Sequence, residues 1–242
     1  MRRLAEQLEA ELRAVGTKAR AEQEKRYLKS DLEHLGVTVP AMRKLVVAIR
    51  RAQSKFDHDQ VVDLVRALWK KPIHELRAAA VELLEFDKKL LGFEDMGLIE
   101  ELLRGARGWA LVDNLAANVV GDLVERYPGQ LHPVLDRWAK DHDFWLRRSA
   151  LLALLLPLRR GEGDFARFCR YADGMLEEKE FFIRKAIGWV LRETAKKSPQ
   201  RVVDWLLPRA HRAAGLTVRE AGKNLPAKDR DRLLQAHRQR AG

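Results

Sequence analysis

Cysteine and long apolar runs are almost absent from this chain of 242 residues. The single cysteine, Cys169, excludes a disulfide framework and any zinc or iron–sulfur site built on cysteines, and it fits a reducing cytoplasm. The longest apolar run, from Ala150 to Pro157, is far too short to span a bilayer, so we expect no membrane partner. The N-terminal stretch MRRLAEQLEAELRA has no apolar segment and predicts a helix rather than a signal peptide.

Motifs for nucleotides and metals are also missing. The sequence contains neither GxxxxGK[ST] nor GxGxxG, which disfavours enzymes driven by nucleoside triphosphates. Its seven histidines are scattered, with none paired at metal-ligand spacing. The triplets at 57–59 and 141–143, both Asp-His-Asp, could hold a metal, but each precedes a helical pattern and is more typical of capping acids. We therefore predict no metal and no cofactor.

Positive charge is abundant. The formal net charge is +11, and such an excess predicts a polyanionic partner, with nucleic acid the leading choice. The alternative is that the basic residues serve solubility alone.

Apolar residues recur almost everywhere with the helical period of 3.6 and almost nowhere with the period of a strand. Glycine and proline separate the periodic segments, and no linker-like composition divides them, so we predict one domain over 1–242, acting as a monomer. The predicted helices cover 2–15, 18–30, 40–53, 58–70, 73–90, 94–105, 109–127, 130–140, 143–158, 164–176, 179–197, 200–213, 217–223 and 227–239.

Three helical segments share one plan, with a basic start, then small residues, then aliphatic ones. They begin at Arg77, Arg147 and Arg184, and the last two starts are 37 residues apart. This spacing is typical of HEAT-like helical pairs that stack into a solenoid with an extended concave face. The predicted fold class is therefore an all-α HEAT-like solenoid whose basic concave face binds DNA. The same fold also serves protein-binding scaffolds, so it does not decide the function.

Residues 179–199, KEFFIRKAIGWVLRETAKKSP, carry an unusual tryptophan. At 100° per residue, Trp189 lies opposite the aliphatic arc and in line with basic side chains, which include Lys185 and Arg192. An aromatic ring within a basic stripe suits contacts with sugars or bases between phosphates, so we predict that these residues bind DNA. The alternative is a tryptophan packed against a neighbouring helix. The arc consists of Ile183, Ile187, Val190, Leu191 and Thr194.

In the segment 109–127, an acidic residue lies beside the apolar arc of the predicted helix. Asp113 does not join the polar arc of this helix but lies with Trp109 and Val120 at the border of the apolar arc, beside small residues. A carboxylate in this position loses hydration and needs compensation. Either a basic residue of a neighbouring helix pairs with Asp113, or Asp113 awaits a cationic ligand.

Several segments together resemble the AlkD family of alkylpurine DNA glycosylases. They are GVTVPAMRKL (36–45), LWKKPIHELRAAA (68–80), GWALVDNLA (108–116), WLRRSALL (145–152) and KEFFIRKAIGWVLRETAK (179–196). The likeness runs from about Tyr27 to Pro199, and its last motif is long enough to be specific. Members of that family are HEAT-like solenoids that excise N3- and N7-alkylated purines without extruding the base.

The resemblance implies roles for individual residues. Trp109, Asp113 and Trp189 match the family's catalytic cluster, and Arg148 matches a residue that holds the DNA backbone near it. Tyr27, Pro40 and Arg43 match positions around the duplex-contacting N-terminal helices. The chain departs from the pattern at Gly108, Thr38, Val39 and Leu156, which bears on fine DNA contacts and lesion preference.

The function implied by the resemblance is hydrolysis of the N-glycosidic bond of cationic N3- or N7-alkylpurines in duplex DNA, including bulky adducts. The resemblance implies a DNA repair enzyme of the base excision type, located in the cytoplasm at the bacterial nucleoid. The alternatives are a non-catalytic protein that binds duplex or damaged DNA, and a HEAT-type scaffold for protein interactions. A non-catalytic relative would lose Asp113 or a tryptophan, and a scaffold would not need aromatic rings in its basic stripe.

Overall fold

A computed structural model describes residues 1–52 and 56–239. Within these two ranges every regular element is a helix, and one isolated backbone bridge joins Glu33 to Ile73. The all-α prediction is therefore confirmed. In the same ranges, no helix combines the length and the apolar character that crossing a bilayer requires. The chain forms two compact units, Met1–Leu115 and Ala116–Gly242.

The first unit, called unit 1, consists of helices joined by short turns. Its core is aliphatic, and α4 packs on α5 while α1 and α3 pack against each other. The α2 helix differs from the rest because it has no buried residue. The helices of unit 1 are α1 (Arg2–Val15), α2 (Lys18–Leu28), α3 (Val39–Ala52), α4 (His58–Trp69), α5 (His74–Phe86), α6 (Met96–Gly105) and α7 (Trp109–Asn114), with 3₁₀ turns at Lys88–Leu90 and Phe93–Asp95.

The second unit, called unit 2, begins within a π-helical segment at Leu115–Val120. Its long helix α13 packs on α10, α11 and α15 and forms the centre of the unit. The helices of unit 2 are α8 (Gly121–Arg126), α9 (Pro128–Trp138), α10 (Phe144–Leu152), α11 (Leu155–Arg159), α12 (Phe165–Met175), α13 (Phe181–Ala195), α14 (Pro199–Leu206), α15 (Gly215–Ala221) and α16 (Ala227–Arg238), with 3₁₀ turns at Leu207–Arg209 and Gly222–Asn224.

The three segments that follow one sequence plan also form the same type of hydrogen bond. Arg77, Arg147 and Arg184 each occupy the fourth position of a helix, in α5, α10 and α13. Each guanidinium donates to the backbone carbonyl six residues earlier, over 3.4 Å to Lys71, 2.7 Å to Asp141 and 2.6 Å to Glu178. A carbonyl in the turn before the helix is thereby satisfied in the same way three times. The repeat read from the sequence is therefore a repeat of structure.

One acid of each Asp-His-Asp triplet caps a helix. Asp57 accepts the backbone N–H of Gln60 at 2.8 Å and forms a capping box at the start of α4. Asp143 accepts the backbone N–H of Trp145 at 2.8 Å at the start of α10. The capping interpretation is confirmed for both helices.

One predicted helix is divided in the structure. The segment predicted as a single helix over 143–158 forms α10 and α11, with a break at Ala153 and Leu154. Proline has no N–H to donate to the carbonyl four residues before it, so Pro157 cannot continue α10. The chain restarts as α11, which places Pro157 in a first turn, where no N–H is needed. Position 53, the end of the predicted helix 40–53, lies outside the described residues.

Candidate active site

Trp109 begins α7 and lies against the exposed Tyr27 of α2. The ring centroids of Tyr27 and Trp109 are 5.9 Å apart, and the planes make an angle of 82°. This edge-to-face geometry is a favourable aromatic contact. Trp109 is half-buried, whereas 71% of Tyr27 is exposed. The structure thus brings together two residues that the sequence places in different segments.

The turn before α7 contains a residue with a left-handed backbone conformation. Arg107 has a φ of +52°, in the left-handed region that non-glycine residues seldom adopt, and its guanidinium pairs with Asp31 at 2.8 Å. Gly108 follows in extended backbone, and a Cβ built there would meet no atom within 4 Å. There is therefore room beside Trp109 for a larger residue at position 108.

Asp113 lies one helical turn after Trp109 and is half-buried. Both residues belong to α7, so the i, i+4 spacing puts their side chains on the same face. A carboxylate next to an aromatic pair is thereby fixed on a short, regular helix.

A π-helical segment, Leu115–Val120, follows α7 directly. The prediction of an unbroken α-helix over 109–127 was wrong here, since the wider turn changes the angle at which later side chains leave the helix. The arcs calculated at 100° per residue therefore hold for Trp109 and Asp113 but not for residues beyond 115. Single π turns inside α-helices occur often at functional sites.

A buried carboxylate links α3 to the residue after Asp113. Arg43 pairs with Glu82 at 2.8 Å, and the Asn114 side chain donates to the same carboxylate at 3.4 Å. The hydrogen bond that Arg43 donates to Glu82 raises the pKa of Arg43. Half of the Arg43 side chain remains exposed, and Pro40, in the first turn of α3, is exposed as well. Both remain predicted DNA contacts.

Trp189 lies in unit 2, on the helix α13. The aliphatic arc predicted for this helix is confirmed, because Ile183, Ile187, Val190, Leu191 and Thr194 are each at most 1% exposed. Trp189 is half-buried and does not belong to that core. Gly188 lets α13 approach α15 closely, since a Cβ there would lie 2.6 Å from the Glu220 Cβ. This close approach fixes the position of α13 against α15.

The basic side chains near Trp189 converge on one acid. Lys185 and Arg192 bind the two carboxylate oxygens of Glu220 at 2.8 and 2.7 Å, and Lys223 binds it at 2.5 Å. Burial raises the pKa of Glu220, but the hydrogen bonds from Lys185 and Lys223 outweigh it and lower the pKa below the usual value. Arg192 also contacts Glu193 at 3.3 Å, so the three cations share two carboxylates and a net positive charge is left. Sequence reasoning missed Glu220, which lies on a different helix.

Arg148 is deeply buried in unit 2, at 2% exposed. It donates a hydrogen bond to the backbone carbonyl of Phe182, and its guanidinium lies 5.8 Å from the Phe182 ring centroid. The predicted contact with the DNA backbone stays a prediction. In this structure Arg148 holds the first turn of α13.

An aromatic cluster at the start of α13 was not singled out from the sequence. The Trp145 ring lies 4.4 Å from that of Phe144 and 4.9 Å from that of Phe182. The Phe181 ring meets Phe182 at 5.3 Å and is 55% exposed. The adjacent phenylalanines of the motif KEFFIRK were the available signal, because two large aromatic side chains in succession favour ring contacts with each other and with further aromatic residues.

Replacing Trp189 with alanine should cost little stability. Because Trp189 is half-buried and outside the aliphatic arc, we expect Trp189→Ala to lower the free energy of unfolding by about 1–2 kcal/mol. The matched control is Trp138→Ala, at a residue that is 0% exposed, for which we expect a loss of about 3–5 kcal/mol. Urea unfolding followed by circular dichroism measures both. Equal losses would mean that Trp189 is a core residue.

A comparison with models of known protein families identifies the family of this chain. The family model described as "DNA alkylation repair enzyme" matches residues 8–225. The chain belongs to this family of DNA alkylation repair enzymes. The matched range contains Trp109, Asp113, Trp189 and every residue that is predicted to contact DNA. No curated protein matches the sequence.

Solved structures show the same fold at low sequence identity. A structure from Enterococcus faecalis, described as a "predicted DNA alkylation repair enzyme", aligns with a TM-score of 0.78 and 22% identity, covering 88% of this chain and 97% of its own. AlkD2 from Streptococcus mutans aligns with a TM-score of 0.60 and 18% identity, covering 86% of this chain and 100% of its own. The architecture of the DNA alkylation repair family is therefore present here.

Proposed function

We propose that this repair enzyme is a DNA glycosylase, which hydrolyses the N-glycosidic bond of cationic N3- or N7-alkylpurines in duplex DNA. The observation that carries the proposal is the group formed by Tyr27, Trp109 and Asp113, in which a carboxylate lies one helical turn from a pair of aromatic rings. Membership of the DNA alkylation repair family supports it. A protein scaffold would have no need of this combination.

The chemistry explains why a carboxylate and aromatic rings are sufficient. Alkylation at N3 or N7 gives the purine a formal positive charge, so the base is already a good leaving group. As the base departs, positive charge develops on the deoxyribose, and an anion placed there stabilises the transition state more than the ground state. In this proposal Asp113 stabilises the developing sugar cation and orients the water that attacks it.

Trp109 and Trp189 have the second role. Their ring faces attract a cation electrostatically, and each contact of this kind is worth roughly 0.5–2 kcal/mol. Partial burial suits the role, because a half-buried ring is held by its neighbours and still offers a face. Most glycosylases extrude the target base into a pocket. We propose that this enzyme leaves the lesion in the stack, which would also admit bulky adducts.

Positive side chains in both units would hold the duplex. Arg43, Lys185 and Arg192 are each bound to a buried carboxylate yet partly exposed, so each can turn to a phosphate. Tyr27 and Pro40 are exposed and offer contact area on α2 and α3. Arg148 would act on DNA through Phe182, whose backbone it holds. The enzyme would bind chromosomal DNA on a basic concave face, as a monomer and without a cofactor.

The deciding experiment is an excision assay. The full-length protein is incubated with a duplex carrying one N7-methylguanine, and abasic sites are detected by strand cleavage in alkali. We expect excision well above the spontaneous rate, and none from the unmodified duplex. Binding without excision would instead favour a non-catalytic DNA-binding protein. Neither binding nor excision would favour a protein-interaction scaffold.

A further inference from the structure

A histidine in unit 1 is buried without a hydrogen-bonding partner. His34 lies in the segment between α2 and α3 and is only 9% exposed. Within the described residues neither ring nitrogen has a hydrogen-bond partner. Buried polar groups are almost always satisfied, because leaving one unpaired costs the free energy of its lost hydration. The unpaired imidazole of His34 therefore calls for a ligand.

A second histidine covers one face of the His34 ring. His74 stacks on it, with ring centroids 4.6 Å apart and planes within 11° of parallel. Burial lowers the pKa of His34, and burial together with the neighbouring His34 lowers the pKa of His74 to about 4. A neutral imidazole has an unshared electron pair on one ring nitrogen, and this form of the ring binds metals.

Two carboxylates face His34. One oxygen each of Glu24 and Glu75 and one ring nitrogen of His34 lie within 4.8 Å of one another. Glu75 is fixed by backbone N–H groups, with Gly36 donating to Oε1 at 2.6 Å and Leu35 donating to Oε2 at 2.9 Å. Glu24 Oε1 accepts a hydrogen bond from the Arg20 guanidinium at 2.5 Å. The sequence analysis found no ligand set here, because the three residues are far apart in the chain.

We propose that Glu24, His34 and Glu75 form a binding site for a divalent transition metal, with zinc as the preferred ion. Imidazole together with carboxylates suits zinc, whereas calcium and magnesium prefer oxygen ligands alone. Zinc bonds of about 2.0–2.2 Å put tetrahedral ligands roughly 3.3 Å apart. The three atoms must therefore close by a small distance, which rotation of the Glu24 side chain on the exposed helix α2 supplies. Three protein ligands leave a fourth position for water.

Such a site would have a structural consequence for α2. This helix has no buried residue, so apolar packing contributes little to holding it in place. A metal bound by Glu24 would tie α2 to the segment before α3 and to the start of α5. Tyr27 follows Glu24 by three residues and lies on the same side of the helix. The metal would thereby also fix the ring that contacts Trp109.

The test uses the full-length protein after treatment with a chelator and removal of the chelator. Zinc chloride is titrated by calorimetry and by competition with a chromophoric chelator. We expect one zinc per chain and a melting temperature that rises with zinc concentration, because an ion that binds the folded state stabilises it. Glu24→Gln and His34→Gln should each weaken binding at least about 100-fold, since lesser changes around metal ligands already cost 10–100-fold.

The matched control is Glu22→Gln, which makes the same substitution on the exposed surface of α2 and should bind zinc like the wild type. Circular dichroism confirms that each variant folds, and Glu24→Gln keeps the test valid if His34→Gln does not fold. The proposal fails if the wild type binds no stoichiometric zinc. It also fails if a folded Glu24→Gln or His34→Gln protein binds zinc within a factor of three of the wild type. None of these measurements depends on glycosylase activity.

Discussion

Asp113→Asn should lower the excision rate of cationic lesions roughly 10²–10³-fold, or about 3–4 kcal/mol in transition-state stabilisation. The substitution is close to isosteric, so the packing of this half-buried side chain should persist. It removes the negative charge that the proposed mechanism places beside the developing sugar cation. DNA affinity should stay the same or rise slightly, because deleting a carboxylate relieves repulsion from phosphates.

Three measurements on this variant separate the two interpretations of Asp113. They are single-turnover excision, affinity for the duplex and melting temperature. Under the proposed mechanism only excision should fall. If Asp113 anchors one helix to another, stability falls and activity falls only with it. The control is Asp59→Asn, which makes the same change in charge at a side chain that is 94% exposed and should leave all three values unchanged. A stable Asp113→Asn protein with full activity would rule out the mechanism.

Duplex binding should weaken steeply as salt is added. If five to eight cationic side chains displace counterions from phosphates, log K should fall against log salt with a slope of about −4 to −7. Between 50 and 200 mM salt the affinity would then fall roughly 10²–10⁴-fold. The net charge of +11 makes such a number of contacts possible. Fluorescence anisotropy with an unmodified duplex measures the slope.

Single variants test which cations contribute to this slope. Lys185→Gln should reduce its magnitude by about one, because each phosphate contact contributes about 0.9. Glu220 keeps Arg192 and Lys223 as partners in that variant, so the fold should persist. Arg66→Gln removes the same charge from α4, where no DNA contact is predicted, and should keep the slope of the wild type. A flat salt response of the wild-type protein would contradict DNA binding altogether.

The helices could be predicted because apolar spacing and capping residues within a single segment are enough to indicate each one. Apolar residues at a period of 3.6 mark the buried arc of α13, and aspartate before α4 and α10 marks their starts. Pro157 shows where this reading is weakest, since the break it causes depends on hydrogen bonds and not on apolar pattern. The π turn after Asn114 leaves no trace in composition, because the same aliphatic residues fill an α turn equally well.

Most of the site residues were predicted through the resemblance to the AlkD family. The sequence placed Trp109 and Asp113 together because both lie on one helix. It could not place Tyr27 beside Trp109, nor Glu220 beneath Lys185 and Arg192, because these contacts join residues distant in the chain. Charge counting from sequence likewise overstates the free positive charge near Trp189, since it omits the buried acid that partly neutralises it.

Arg77, Arg147 and Arg184 each donate a hydrogen bond to the backbone carbonyl six residues earlier. These hydrogen bonds limit where insertions and deletions can occur as the sequence diverges. A guanidinium in the fourth position of a helix reaches that carbonyl only if the turn before the helix keeps its length. A residue gained or lost between donor and acceptor would strand the carbonyl and force the helix out of register with its neighbour. Lysine could not substitute freely either, because it lacks the planar fork that presents several donors at once. In related chains, insertions should therefore collect in the turns that no such arginine spans, and these three intervals should keep a constant length.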